Sequence, residues 1–169
     1  MTATRDQLKT DMFKIRLATD DDGDGVGALI KAAFDEHPGC IYDRAVEFPE
    51  LDAIASTFRS KSGQFWIAES QNGEIVGSGG YIPTVDDEVE LHKVYLARAA
   101  RGSGLALQIL QKMEADALAK GFARVTLWTD TRFLSGQRFY EKNGYTQQPE
   151  TRQLDDLSHS EEFNYIKNL

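Results

Sequence analysis

The sequence predicts an α/β protein, a mixed sheet with helices on both faces, in the element order β-α-α-β-β-β-α-β-α-β-β. Three observations predict this class: short segments in which apolar and polar residues alternate, longer segments with apolar residues at helical spacing, and the order in which the two kinds follow one another. The 169 residues are 41% apolar and contain neither an internal repeat nor a low-complexity linker. We therefore expect a polar tail over residues 1–12 and a single domain over residues 13–169.

The first part of the chain predicts one strand and two helices. Phe13–Leu17 alternates apolar and charged residues, as a half-buried strand does. Residues 26–34 place apolar side chains on one helix face, and the acids that precede them suit the positive end of a helix dipole. After an irregular loop over 36–42, a second short helix is expected over 51–58, with Pro49 near its start.

The rest of the chain alternates strands with helices. Residues 64–69 and 74–82 predict two strands joined by an Asn-Gly pair, which favours a hairpin, and Glu88–Leu96 predicts a third strand. The remaining predicted elements are a helix over 105–117 closed by Lys120-Gly121, a strand over 125–129, a helix over 135–143 ended by Gly144, and weaker strands over 145–152 and 162–167.

Charge and apolar runs exclude several classes of function. The chain carries 19 Lys and Arg against 27 Asp and Glu, a formal net charge of −8. Nucleic-acid binding needs cations that displace phosphate counterions, so we expect no nucleic-acid partner. No apolar run approaches the roughly 18 residues that span a bilayer, and the N-terminus lacks the pattern of a signal peptide. These features predict a cytoplasmic protein without a membrane partner.

One stretch of this acidic chain has no acids. Between Leu91 and Met113 there is no Asp or Glu. Basic side chains do occur there: His92, Lys93, Arg98, Arg101 and Lys112. Within the stretch, residues 101–106 (Arg-Gly-Ser-Gly-Leu-Ala) join a predicted strand to the long helix. Glycines let backbone N–H groups approach a ligand, and a helix N-terminus adds about half a positive charge, so this loop suits a phosphate. A flexible turn with a solvated arginine is the alternative.

No metal site is expected. The run from Asp20 to Gly25 matches the first half of a calcium-binding EF-hand loop, but Lys31 stands where that loop needs a glutamate. The histidines have no zinc-ligand spacing around them.

Two motifs resemble those of the GNAT superfamily of acyl-CoA-dependent N-acyltransferases. Residues 90–96 (Glu-Leu-His-Lys-Val-Tyr-Leu), followed by Arg101, Gly104 and Ala106, are similar to its motif A. Residues 138–145 (Arg-Phe-Tyr-Glu-Lys-Asn-Gly-Tyr) are similar to its motif B. The resemblance implies a GNAT-like fold in which strand 88–96 splays from a parallel strand over 125–129. The pantetheine arm of acetyl-CoA would lie in that gap.

The resemblance also implies how coenzyme A is held. Backbone groups of Val94 and Leu96 would bind the pantetheine amides. The backbone amides that would bind the pyrophosphate are those of Arg101, Gly102, Ser103, Gly104, Leu105 and Ala106. An acid-free stretch agrees with this role, since a strongly anionic ligand on an acidic protein needs a site without carboxylates.

Two residues match catalytic positions of the family. Tyr140 matches the tyrosine that contacts the cofactor and donates a proton to the CoA sulfur; a packed aromatic ring is the alternative. Glu90 matches a strand glutamate that serves as general base in some members, often through water. An equal interpretation is that Glu90 is a solvated carboxylate without a catalytic role. Glu88, His92 and water are the alternatives for the base.

The sequence also departs from the family pattern. Phe133 stands where an asparagine is frequent and Gly136 where alanine is usual, so cofactor contacts of residues 131–135 are not transferred. Asp130 or Thr131 offers a replacement.

The implied reaction moves an acetyl group from acetyl-CoA to a primary amine of a small molecule. A sensor that binds acyl-CoA without turnover, and an acetyltransferase acting on a protein lysine or N-terminus, are the alternatives. A homodimer is a frequent assembly in the family. Side chains around the first loop make either an acidic, aromatic mouth for a cationic amine or a solvated loop: Glu36, His37, Tyr42, Asp43 and Glu47.

Overall fold

The computed structural model describes residues 12–169, so all of the predicted tail except Met12 lies outside the described residues. Within that part of the chain, the strands are β1 (Phe13–Leu17), β2 (Gln64–Ser70), β3 (Ile75–Pro83), β4 (Glu88–Leu96), β5 (Arg124–Asp130), β6 (Thr146–Gln153) and β7 (Glu161–Asn168). The α-helices of the same residues are α1 (Gly23–Asp35), α2 (Arg44–Glu47), α3 (Ile54–Ser60), α4 (Leu105–Ala119) and α5 (Leu134–Lys142).

The strands form one mixed sheet in the order β1-β2-β3-β4-β5-β7-β6. Neighbouring strands are antiparallel except β4 and β5, which are parallel. The predicted fold class and order of elements are confirmed. Helix α2 is an addition between the predicted irregular loop over 36–42 and the predicted helix over 51–58; its first turn is capped by the Asp43 carboxylate, which accepts the Val46 N–H. None of the helices between residues 12 and 169 has the length and apolar character of a bilayer-crossing segment.

Two apolar cores lie on opposite faces of the sheet. One packs under α4 and includes Tyr140 of α5; the other packs under α1 and α3. Strand β2 contributes side chains to both cores: Trp66 and Ala68 belong to the first, and Phe65 and Ile67 belong to the second. This is the period-2 alternation of a strand whose two faces are both covered.

Helix α4 packs closely on β3 because β3 has glycines beneath it. A Cβ atom at Gly77 would lie 2.7 Å from Ile109 Cδ1, and one at Gly79 would lie 3.0 Å from Met113 Cε. The helix is buried through a face that includes Leu105, Ile109 and Met113, each contributing about 1.5–3 kcal/mol of apolar burial. This packing fixes the N-terminus of α4, and with it the glycine loop (residues 101–106).

Strands β4 and β5 separate after a short shared ladder. They pair only at Glu88–Arg124, Val89–Val125 and Glu90–Thr126. Beyond this point β5 stays paired with β7 as far as Asp130, and β4 stays paired with β3 as far as Leu96. The predicted splay of a central parallel pair is therefore confirmed.

A β-bulge interrupts β4 just after the separation begins. Gly80 pairs with His92 and Ser78 with Tyr95, so β4 has one residue more than β3 across this interval. Lys93 has φ of +52°, and the Ser78 hydroxyl donates to its carbonyl at 2.7 Å. The bulge lies after Glu90 and His92, so the side chains of these two residues lie on the same face of the strand.

Candidate active site

The gap between β4 and β5 opens into a cleft of about 860 Å³. Residues 90–95 of β4 form one wall and residues 127–130 of β5 form the other, with Phe34 and Phe48 from the α1–α3 region. The loop between β6 and β7 closes the far side through Leu154, Asp155, Asp156, Leu157, His159 and Ser160. The cleft is thus built from both halves of the sheet.

Tyr140 reaches the cleft from α5. Its side chain is 7% exposed, and its ring packs against Phe139 and Tyr145 at centroid distances of 5.4 and 5.5 Å. Among residues 12–169, no group is hydrogen-bonded to its hydroxyl, although Tyr140 lines the cleft. Burial raises the pKa of Tyr140 well above its usual value. The phenol therefore keeps its proton at neutral pH and is free to donate it.

Glu90 and His92 form a hydrogen-bonded pair on the opposite wall. His92 Nε2 lies 2.7 Å from Glu90 Oε2, and the Glu90 side chain is 18% exposed. Burial alone would raise the pKa of Glu90, but the hydrogen bond and charge of His92, with the charge of Arg152, hold this pKa below its ordinary value. The carboxylate is ionised at neutral pH.

Glu88 is held outside the cleft. Its carboxylate accepts from Arg124 Nε at 2.6 Å and from the Thr84 hydroxyl at 2.8 Å. Of the alternatives for the base, His92 therefore lies beside Glu90 in the cleft and Glu88 does not.

The glycine loop presents unbonded amides at the start of α4. Gly102 and Gly104 have φ of +73° and +86°, and a Cβ atom at either would meet nothing within 4 Å. Within residues 12–169, no acceptor bonds the amides of Gly102, Gly104 and Ala106. The Ser103 hydroxyl accepts the Leu105 N–H at 3.3 Å and donates to the Ala100 carbonyl at 2.5 Å. Free amides that border open space at a helix N-terminus fit a phosphate group.

The acid-free stretch is less positive in the fold than in the sequence. Glu36, at the end of α1, binds Arg101 through both carboxylate oxygens, at 2.8 and 2.9 Å. The hydrogen bond from Arg101 is the main reason why the pKa of Glu36 lies below its usual value. Lys93 is likewise paired with Glu50. The two acids come from segments 40 or more positions away in sequence, so a local charge count does not find them.

Val94 and Leu96 line the separated part of β4 with their main chain. The Ala97 N–H donates to the Val76 carbonyl of β3 at 2.8 Å. Because main-chain groups alternate in direction along a strand, those of Leu96, and of Val94 two residues earlier, face the separated β5. These groups are in the position that the resemblance implies for pantetheine binding.

The loop before α5 has Phe133 at the position where an asparagine is frequent in the family. The Phe133 ring packs against His37 and Phe34, at centroid distances of 4.6 and 6.3 Å. The carboxylate of Asp130, one of the two candidate replacements for the missing asparagine, is bound by Arg132 at 2.6 and 2.8 Å. The Phe133 ring thus packs the start of α5 against the end of α1.

Only one member of the expected acidic mouth lines the cleft. Glu47 does so, and its carboxylate accepts the Leu157 N–H at 2.6 Å. Glu36 is bound to Arg101, Asp43 caps α2, His37 packs on Phe133, and Tyr42 stacks on Phe48.

The cleft residues that the sequence did not identify as site residues include Tyr95, Trp128 and Arg152. Trp128 was accessible to sequence reasoning, because it alternates with the buried residues Leu127 and Thr129 in a strand already placed beside the splay. Arg152 lies in a polar edge strand whose weak alternation gives no direction to its side chains. Within residues 12–169, no group of His, Cys, Asp and Glu side chains is arranged to hold a metal ion.

Comparisons with known proteins agree with this geometry. The model of the acetyltransferase (GNAT) family matches residues 26–145. The uncharacterized N-acetyltransferase YjgM of Escherichia coli is 29% identical over 136 residues, which are 78% of this chain and 80% of that protein. An uncharacterized N-acetyltransferase of Mycobacterium tuberculosis is 38% identical over 79 residues, 47% of this chain and 51% of that protein.

Solved structures share the fold. A GNAT-family acetyltransferase of Staphylococcus aureus superposes with a TM-score of 0.81 and 22% identity, covering 93% of this chain and 99% of that one. The PaiA N-acetyltransferase of Thermoplasma acidophilum, solved in complex with coenzyme A, gives a TM-score of 0.69 and 17% identity, covering 93% and 99%. With the family model spanning both motifs, this chain belongs to the acetyltransferase (GNAT) family and is an N-acetyltransferase.

Proposed function

We propose that this enzyme transfers the acetyl group of acetyl-CoA to the primary amine of a small molecule. The observation that carries the proposal is the cleft itself. A buried proton donor, Tyr140, and an ionised carboxylate, Glu90, with His92 beside it, open into one space where β4 and β5 part. The glycine loop lies further along the same chain, between the end of β4 and the start of α4.

The residues present fit coenzyme A. The open amides of Gly102, Gly104 and Ala106 would bind the pyrophosphate. The other three predicted amides are already bonded: Arg101 and Ser103 donate to the carbonyls of Arg98 and Ala100, and Leu105 donates to the Ser103 hydroxyl. The main chain of Val94 and Leu96 would bind the pantetheine amides, since it faces the gap in the sheet. Bound acetyl-CoA supplies an acetyl group activated as a thioester.

The amine must lose protons before and during attack. An ammonium group has no lone pair, so we assign Glu90, supported by His92, as the group that accepts the first proton. Formation of the amide bond releases a second proton from nitrogen. This release balances the proton that Tyr140 gives to the sulfur as the carbon–sulfur bond breaks, so the enzyme ends the reaction having passed one proton to the Glu90–His92 pair.

Tyr140 suits the donor role because it is neutral and its hydroxyl is not bonded to other described groups. Burial keeps its pKa above the usual value, so the protonated form dominates at neutral pH. The packing of its ring against Phe139 and Tyr145 holds the hydroxyl in one direction, which lowers the cost of orienting it in the transition state.

Calorimetric titration with acetyl-CoA, followed by a thiol-release assay over a panel of amines, tests the proposal. We expect saturable binding and acetylation of at least one small amine. Absence of binding at high micromolar acetyl-CoA would refute the proposal. Binding without release of thiol across the panel would instead identify an acyl-CoA sensor, and acetylation restricted to added proteins would identify a protein acetyltransferase.

A further inference from the structure

The far wall of the cleft carries an arginine that the proposed steps do not use. Arg152 lies on β6, and its Nε donates to Glu162 Oε1 at 2.7 Å. Its guanidinium lies over the Trp128 indole, with Cζ 4.5 Å from the ring centroid. These contacts hold the guanidinium in place, because the carboxylate fixes its Nε edge and the aromatic face fixes its plane.

The terminal nitrogens of Arg152 remain available to a ligand. Among residues 12–169, no group accepts a hydrogen bond from its Nη1 or Nη2. The side chain is 42% exposed and lines the cleft. A guanidinium edge with two parallel donors matches a carboxylate, which accepts both hydrogen bonds at once.

Arg152 lies on the same face of the sheet as the Glu90–His92 pair. Glu90 and His92 alternate with Val89 and Leu91, which belong to the core under α4. Trp128 and Glu162 alternate in the same way with Leu127 and Phe163, which also pack in that core. All four side chains therefore point to the α1 and α3 side. The charge of Arg152 also contributes to the lowered pKa of Glu90, which is consistent with their sharing one cleft.

We propose that the acyl acceptor is an amino acid, whose carboxylate binds the Nη1 and Nη2 edge of Arg152 while its amine faces Glu90 and His92. This inference rests on the proposed acetyl transfer and adds the chemical class of the acceptor. An acceptor of this kind uses both features of the cleft, a fixed cation for its anionic end and an ionised base for its ammonium.

A simple count of the acids in the cleft would favour a dicationic acceptor. Most of these acids, however, are already bonded within the protein. Glu47 accepts the Leu157 N–H, and Asp156 accepts the N–H and the hydroxyl of Ser160. Asp130 is bound by Arg132. These carboxylates hold loops in place, and Asp155 is the one cleft acid without such a bond among the described residues. The Nη1 and Nη2 donors of Arg152 remain unused on the far wall.

Matched substrates and matched variants test the assignment. Wild-type enzyme is assayed for thiol release with α-, β- and γ-amino acids, with their carboxamides, which keep the amine and lose the charge, and with diamines. We expect at least one amino acid to exceed its carboxamide by about 10-fold or more in kcat/KM, because a charge-assisted hydrogen bond contributes about 1.5–3 kcal/mol.

Arg152→Met should remove that preference mainly by raising KM for the amino acid, with kcat little changed. Arg152→Lys should restore only part of it, because a lysine lacks the paired donors. Arg124→Met is the matched control: Arg124 is 44% exposed and pairs with Glu88 through Nε at 2.6 Å, but it lies outside the cleft. This control should keep the preference.

A second readout does not depend on turnover. Calorimetry of the same amino acids with the CoA-loaded protein should show, for at least one of them, binding that Arg152→Met weakens by about 10-fold or more and Arg124→Met does not. Equal use of amino acids and carboxamides, a preference for diamines, or a preference that survives Arg152→Met would overturn the assignment while leaving acetyl transfer intact. Failure to acetylate any amine would count against acetyl transfer instead. The calorimetry would still test whether Arg152 binds the carboxylate of an amino acid.

Discussion

Replacing Gly104 with leucine is expected to weaken coenzyme A binding far more than it destabilises the fold. Gly104 has φ of +86° immediately before α4, and a Cβ there would point into open space. Any L-residue in this backbone conformation costs about 1–2 kcal/mol. In a domain of this size that corresponds to a loss of about 2–4 °C in Tm for each kcal/mol.

The binding effect is of a different kind. A leucine side chain at Gly104 would fill the space that the unbonded amides of Gly102 and Ala106 border. Losing even one charge-assisted hydrogen bond to a phosphate costs about 1.5–3 kcal/mol, which corresponds to a rise in Kd of about 10- to 100-fold.

Gly121→Leu supplies the matched control. Gly121 follows the other end of α4 with φ of +92°, and a Cβ there would also meet nothing within 4 Å. Both variants should show a similar fall in Tm, measured by thermal denaturation, but only Gly104→Leu should raise the Kd for coenzyme A, measured by calorimetry. An unchanged Kd in Gly104→Leu, or an equal rise in both variants, would refute the assigned role of the glycine loop.

Further predictions concern a proton donor, an ion pair and a buried carboxylate. Tyr140→Phe should lower kcat by about 100-fold or more without changing the Kd for acetyl-CoA, because it removes the proton and keeps the ring; unchanged turnover would leave Tyr140 a packing role. Glu36→Gln should tighten coenzyme A binding by about two- to fivefold at low salt by releasing Arg101 from an exposed ion pair, whereas Asp35→Asn, which alters a neighbouring pair with Lys31, should not. Asp22→Asn should destabilise the protein at pH 7 by about 2 kcal/mol, because Asp22 accepts two hydrogen bonds from Arg16. Those bonds hold the pKa of Asp22 below its ordinary value of 3.8 against the effect of burial, so stability measured by urea denaturation should converge with wild type as pH falls below that value.

The strands and helices beside the cleft were predictable because their signals are local. Strand β4 occupies the predicted residues Glu88–Leu96, and α4 lies between the glycines expected to begin and end it. Their apolar residues recur at the period of the element, and each end has a residue that favours termination. The short helix that carries Tyr140 is local in the same sense, since it spans Leu134–Lys142 against the predicted 135–143.

The charge pattern of the site was not predictable, because it depends on contacts between distant segments. The stretch that includes Lys93 and Arg101 was expected to be electropositive, yet Glu50 and Glu36 neutralise these two side chains across the fold. Arg152 becomes a cleft residue only through the order of β5, β7 and β6, which hydrophobic periodicity does not specify.

The short ladder between β4 and β5 divides the sheet into two units of strands. Strands β1 to β4 come from the chain before Ala97, and β5 to β7 come from the chain after Ala123, so each unit forms its ladders within its own stretch. Across the boundary the backbone supplies only three residue pairs, and α4 crosses it as a connecting segment. A ligand that fills the gap would bridge the two units where the backbone does not, and its binding energy would appear partly as tighter coupling between them.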